Sequence, residues 1–312
     1  MKMSGAFALC PEAKIPPSPA PEQPLDPAAA VRAALSASGE RLNYAGAKLA
    51  LDRIVDPALD VEATMAELLR MASIARELAG GSATDGAKLA ALRKLIYESG
   101  PWNDHRPFGY DHSDPYGQHL PHKLLHNYLA GRLGQCVSMP ILFLILADWI
   151  GLRVALASAP EHIFVRYTDG AGRTFNLETT SGAHPARDVW YRDCFRMSDR
   201  AIGSGLYMRT LSRREGAALM ATTVAEHLRA RGRYEDVIAV CEVILEHDRR
   251  AGAVMVMQGS AYGALLHREF EQKYTVPFLV PEHLQARRLR LIERNNSLID
   301  AAEALGWEPF GD

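Results

Sequence analysis

Residues 136–152, CVSMPILFLILADWIGL, decide how this chain folds. The run from Met139 to Ala147 is apolar all round and has no polar face to offer to water. A helix of that kind is surrounded by protein on every side. Asp148 interrupts the run, which falls short of the roughly 20 apolar residues that cross a bilayer. The stretch therefore reads as a central buried helix, and no integral membrane segment is expected. After it come three strand-like runs, RVALASA (153–159), HIFVRYT (162–168) and RTFNLET (173–179), the last two separated by a turn at Asp169-Gly170. Before it, Asp60 caps a helix carrying Val61, Met65, Leu68, Leu69 and Ala72 at helical spacing and ending at Gly80-Gly81. A second helix carries Leu89, Leu92, Leu95 and Ile96 and ends before Gly100-Pro101. The expected class is α+β, with a buried helix against a small antiparallel sheet and further helices on both flanks.

The hairpin has a preferred register. Ile163, Val165 and Tyr167 share one face of the first strand, and Phe175 and Leu177 share one face of the second. Opposing Ile163 with Leu177 joins those faces, whereas a one-residue slip would drive Glu178 into the core. In that register His162 lies directly across from Glu178, with Asn176 diagonal to it.

Downstream, Ser212 and Glu215 have capping-box spacing ahead of one long helix through about Ala230. Ala225 and Leu228 recur 34 residues later as Gly259 and Tyr262, the period of a tetratricopeptide unit. The chain then divides into a proline-rich disordered leader (1–27), a central domain with a helical N-terminal part (28–210) and tetratricopeptide-like helices packed on it (211–312).

Composition narrows the function. The 312 residues carry 35 Lys+Arg against 37 Asp+Glu, a formal charge of −2. That balance provides no drive toward polyanions, so no nucleic-acid partner is expected and a peptide or protein partner is. The Arg287, Arg288, Arg290 and Arg294 stretch has no interleaved aromatics and reads as a solvated helix face. Four cysteines, at 10, 136, 194 and 241, form no CxxC pair and no disulfide framework.

Cys136 differs from the other three. It falls at the first turn of the buried helix, where free backbone N–H groups and the helix dipole favour a thiolate and an oxyanion. His162 opens the next-but-one strand, and Glu178 stands beside it across the hairpin. Nucleophile, base and orienting acid are the three parts of a thiol acyl-transfer site, with Cys136, His162 and Glu178 in those roles and Asn176 as the alternative orienting residue. Gln135 and Asn127 are candidate oxyanion donors. Thr179, Thr180, His184 and Trp190 are candidates to line the cleft, while Arg187 and Asp188 suit helix-end or surface contacts.

These residues carry a family resemblance. LLHNYLAGRLGQCVSMPILFLILADWIGL (124–152), APEHIFVRYTD (159–169) and NLETTSGAHPARDVWYRD (176–193) resemble the transglutaminase-like superfamily, and within it the bacterial SirB-type branch, some members of which bear a tetratricopeptide tail. The resemblance spans about residues 40–270. It implies a papain-like core with Cys136, His162 and an acid as the triad, and Glu178 departs from the more frequent Asp by one methylene. It also implies amide chemistry, namely hydrolysis or acyl transfer on a peptide or protein, or a silent member kept as a protein-binding module. No cofactor is expected.

One rival comes from another class. His105, His112, His119, His122 and His126 crowd into the irregular stretch 105–126, and His122 and His126 would share a helix face as metal ligands. A cytoplasmic location is expected, with export the alternative if the short apolar run before Cys10 is a shortened signal.

Overall fold

The computed structural model describes residues 26–36, 42–81, 84–115 and 117–309. Four helices lead: α1 (Pro27–Ser36), α2 (Tyr44–Val55), α3 (Val61–Ala79) and α4 (Asp85–Tyr97). A long connection holding the two-residue strand β1 (Gly109–Tyr110) reaches α5 (Leu125–Gly131), β2 (Leu133–Gly134) and α6 (Ser138–Trp149). The sheet follows as β3 (Val154–Ala159), β4 (His162–Thr168), β5 (Thr174–Glu178) and β6 (His184–Ala186). Among the described residues seven α-helices follow: α7 (Asp188–Phe195), α8 (Asp199–Gly203), α9 (Arg213–Met220), α10 (Thr222–Ala230), α11 (Tyr234–His247), α12 (Gly252–Leu266) and α13 (Glu282–Ala304). Helices predominate, and the four-stranded sheet is antiparallel in the order β3-β4-β5-β6.

The apolar run forms the centre of the core. Every residue of α6 from Ser138 to Ala147 is buried, against α2, α3, α4 and α5 on one side and β3 and β4 on the other. Each fully buried Leu, Ile or Phe contributes about 1.5–3 kcal/mol, so this helix organises the fold. Asp148, just past the buried run, finds Arg213 at the start of α9.

Asp60 accepts from the Ala63 N–H, and Gly80 ends α3 at φ 81°. The regular part of α6 begins two residues after Cys136 because Pro140 has no N–H to give the Cys136 carbonyl. One residue earlier, the Met139 N–H does reach the Gln135 carbonyl at 3.0 Å, so Cys136 lies within the helix's opening turn.

Two expectations need correction. The hairpin register is displaced by two residues from the Ile163–Leu177 pairing: Val165 faces Leu177 and Tyr167 faces Phe175. An even displacement leaves every side chain on its expected face. Its cause is the loop, where the Asp169 carboxylate accepts from the N–H groups of Ala171 and Arg173 and Gly172 takes φ 80°. That closes a loop of residues 169–173 and sets the first pair at Thr168 and Thr174. Second, the helix after Ser212 is two helices. The capping box forms, but around Ala221 the ladder tightens to i−3 bonds, and α9 ends there before α10 starts.

The expected leader falls outside the described residues up to position 25, and Asp26 caps α1 through the Ala28 and Ala29 N–H groups. Ala225 and Leu228 lie on α10, and Gly259 and Tyr262, 34 residues later, lie on α12. Ala225 and Leu228 are buried, and Gly259 lets α13 approach so closely that a Cβ would stand 3.2 Å from the Asn295 carbonyl. No described helix is long and apolar enough to cross a membrane.

Candidate active site

The turn that presents Cys136 is held from below. A Cβ on Gly134 would come within 2.6 Å of the Tyr128 ring and 2.8 Å of Ser138 Oγ, so only glycine lets the chain enter α6 along this path. Ser138 Oγ accepts from the Gln135 N–H at 3.1 Å and donates to the His122 carbonyl at 2.9 Å. The parallel pairing of β1 with β2 ties the preceding loop to the same turn. Cys136 itself is half-buried, and its Sγ donates toward the Glu161 carbonyl at 3.7 Å. Glu161 and Pro160 form the two-residue turn between β3 and β4, with Glu161 at φ 52°, a left-handed conformation that costs energy in a residue with a Cβ. The backbone N–H groups of Cys136 and Val137 find no acceptor among the described residues.

His162 begins β4 directly after that turn. Its Nε2 lies 2.8 Å from Glu178 Oε2, at a diagonal rather than direct cross-strand position. The carboxylate is buried and has further partners: the Tyr191 hydroxyl donates at 2.9 Å, and the Thr180 N–H and hydroxyl also donate. Burial, the largest influence on the imidazole, disfavours its charged form. Hydrogen bonding to Cys136 and Glu178, with the electrostatic influence of both, outweighs burial and raises its pKa to about 9. Burial likewise works to raise the Glu178 pKa, and the bonds from His162 and Thr180 hold it below the usual carboxylate range. One face of the imidazole is covered by the Phe195 ring, stacked at 4.7 Å and 17°.

The remaining candidates are spread more widely. Asn176 accepts from Arg166 Nε and donates to the Ala186 carbonyl and Asp188, so it is engaged away from His162. Gln135 gives one amide N–H to the Asp111 carbonyl and Asn127 gives one to the Pro121 carbonyl. Thr180 bonds Glu178, Thr179 is buried, and both ring nitrogens of His184 lie within 3.0 Å of Arg93 Nη2. Trp190 stands exposed, Arg187 precedes α7, and Asp188 opens it. Cys194 is exposed, whereas Cys241 is buried with its thiol pKa pushed up to about 12.

The five histidines do not gather at one metal site, although the His119 and His122 rings lie 5.5 Å apart. His122 Nδ1 lies 3.0 Å from Asp114 and 3.3 Å from Asp111, while His126 Nε2 pairs with Asp56 at 3.0 Å. The shared helix face fails because Leu124 is extended, dividing a 3₁₀ turn from α5. Among the described residues no group of three or more His, Cys, Asp or Glu is placed to hold a metal ion.

The family model of the transglutaminase-like superfamily matches residues 62–223, more than half of the chain. The chain belongs to the transglutaminase-like superfamily. Searches of curated proteins and of solved structures returned no match. The superfamily match runs from the first turn of α3 into α10, and so takes in Cys136, His162, Glu178 and all of α7.

In this transglutaminase-like chain, sequence reasoning missed three neighbours of the site. Tyr191 and Phe195 are one turn apart on α7 and both reach the histidine–glutamate pair. The aromatic spacing in DVWYRDCF was the available signal. Glu161 carried none, since only the turn geometry sends its carbonyl to the sulfur.

Proposed function

We propose that this chain is a thiol-dependent amide hydrolase or acyl transferase acting on a peptide or protein amide. The observation that carries this reading is the His162 imidazole, bonded at 2.8 Å to the buried Glu178 carboxylate and raised in pKa by both Glu178 and Cys136. Glu178 occupies Nε2, which leaves Nδ1 to serve the thiol. With the proton held on His162, Cys136 Sγ attacks the amide carbon, and the carbon–oxygen double bond opens to an oxyanion. The unpartnered N–H groups of Cys136 and Val137 are suited to receive that charge. The imidazolium then protonates the leaving nitrogen, the carbon–nitrogen bond breaks, and a thioester remains. Water or a second amine, deprotonated by His162, releases the acyl group and restores the thiol. Glu178 orients the ring and stabilises its charged form, and Tyr191 and Thr180 hold Glu178.

Within the superfamily, we assign the chain to the SirB-type branch on the blocks around Cys136 and Glu178. We take α10 to α12 as a tetratricopeptide-like unit within a C-terminal region of residues 211–312, set beside a catalytic domain of residues 28–210. A cytoplasmic location suits a site that depends on a reduced thiol.

Labelling tests the chemistry. Iodoacetamide near neutral pH is expected to modify Cys136 at least about tenfold faster than a free thiol such as glutathione, and His162→Ala is expected to abolish the excess. Equal rates in the two proteins, followed by peptide mass spectrometry, would favour a non-catalytic binding module instead.

A further inference from the structure

A Trp side chain carries one of the largest apolar areas of any residue, so an exposed one beside a candidate site offers a surface on which a ligand can bury area. Of the four tryptophans, Trp190 alone is exposed, at 42%, and its neighbour Val189 is 55% exposed. Trp190 stands edge-on to Tyr191 (4.9 Å, 81°) and to Phe195 (6.2 Å, 83°). Phe195 in turn lies flat on His162, so an aromatic surface runs from the imidazole outward to solvent along α7. Tyr191 is buried beneath it with its hydroxyl on Glu178. The helix thus serves the histidine with two of its aromatic residues and offers the third to whatever approaches it.

We propose that Trp190 and Phe195 form the subsite for the leaving-amine side of the substrate, and that this side bears an aromatic or bulky apolar group next to the scissile nitrogen. The inference rests on the proposed thiol chemistry. His162 has to meet the leaving nitrogen to protonate it, so the surface continuous with His162 is where the amine portion lies. An apolar group seated against Trp190 removes water from both and fixes the nitrogen beside the imidazole. Polar or small amine portions gain neither.

Two alkylating probes that differ only in the amide substituent separate the cases: iodoacetamide and N-benzyl-iodoacetamide. In each reaction the Cys136 sulfur–carbon bond forms, the carbon–iodine bond breaks and iodide leaves, with the thiol proton passing to His162 and then to solvent. With rates normalised to those of glutathione and Cys136 separated from the exposed Cys194 by peptide mass spectrometry, the benzyl probe is expected to modify Cys136 about three- to tenfold faster than the parent, the worth of one aromatic contact. In Trp190→Ala that ratio falls toward one, and in Trp190→Phe it is retained, with thermal melts establishing that each variant is folded. A wild-type protein that reacts faster than glutathione with both probes but prefers neither overturns the subsite alone, as does a preference that persists in Trp190→Ala. A Cys136 no more reactive than glutathione toward either probe, and unchanged in His162→Ala, overturns the thiol chemistry and the subsite with it.

Discussion

The His162–Glu178 pair lies at the centre of the candidate site and leaves a pH signature. The folded imidazole is raised from 6.5 to about 9, so its contribution to stability is complete below about pH 6.5 and is lost as pH rises through about 9. Glu178 is lowered from 4.5, so its contribution is present above that value and is lost as pH falls through its folded pKa. The pair is therefore most stabilising between about pH 4.5 and 6.5. Glu178→Gln is expected to cost roughly 1–3 kcal/mol within that window and much less near pH 10, measured by urea unfolding at several pH values. Nuclear magnetic resonance titration of the imidazole is expected to show the His162 pKa falling from about 9 in Glu178→Gln, and falling also in Cys136→Ala, because both groups hold the proton on the ring. All three residues were readable as candidates from residue type and order. Tyr191 was not, because a tyrosine reads the same in sequence whether its hydroxyl meets water or a buried carboxylate.

Two elements carry the site, and each owes its position to a detail of local chemistry. The entry into α6 depends on Gly134, whose missing Cβ makes room for Tyr128 and Ser138. Gly134→Ala forces one of them aside, and an expected loss of about 1–3 kcal/mol should come with slower iodoacetamide modification of Cys136. A thermal melt and a labelling time course on the same sample would show whether the two effects travel together. The β4–β5 hairpin depends on its loop. The alternation of Ile163, Val165 and Tyr167 with Phe175 and Leu177 specified which faces meet, but any even displacement satisfies that alternation equally well. The Asp169 carboxylate and the left-handed Gly172 chose among those registers, so His162 meets Glu178 on a diagonal.

At the scale of the whole molecule, the site is supported from outside the family match. Lys48 and Asp52 on α2 form a fully buried ion pair at 2.7 Å. Lys48 also donates to the Lys123 carbonyl, and Asp52 accepts from the Leu125 N–H. These bonds pin the chain on either side of Leu124, two residues from the His122 carbonyl that holds Ser138. Asp52→Ala strands a buried ammonium and is expected to cost about 3–5 kcal/mol by urea unfolding, whereas Lys48→Met/Asp52→Leu should cost less because neither charge is left alone. Helix α2 also packs on α9 and α10, and α1 packs on α11, where Arg32 pairs with Glu246, so the N-terminal helices join the core to the C-terminal region. Hydrophobic periodicity, an unbroken apolar run and capping residues are local patterns, and by themselves they determined the α+β class, the central helix, the strands and the faces of the hairpin. The order of Cys136, His162 and Glu178 along those elements marked the candidate site as well. Only the tertiary structure decided the hairpin register, the separate acids that His122 and His126 meet, the carbonyls that Gln135 and Asn127 meet, and the aromatic cover that α7 lays on His162. Those outcomes depend on side chains far apart in sequence competing for the same hydrogen bonds and the same buried space, and no local pattern records which of them wins.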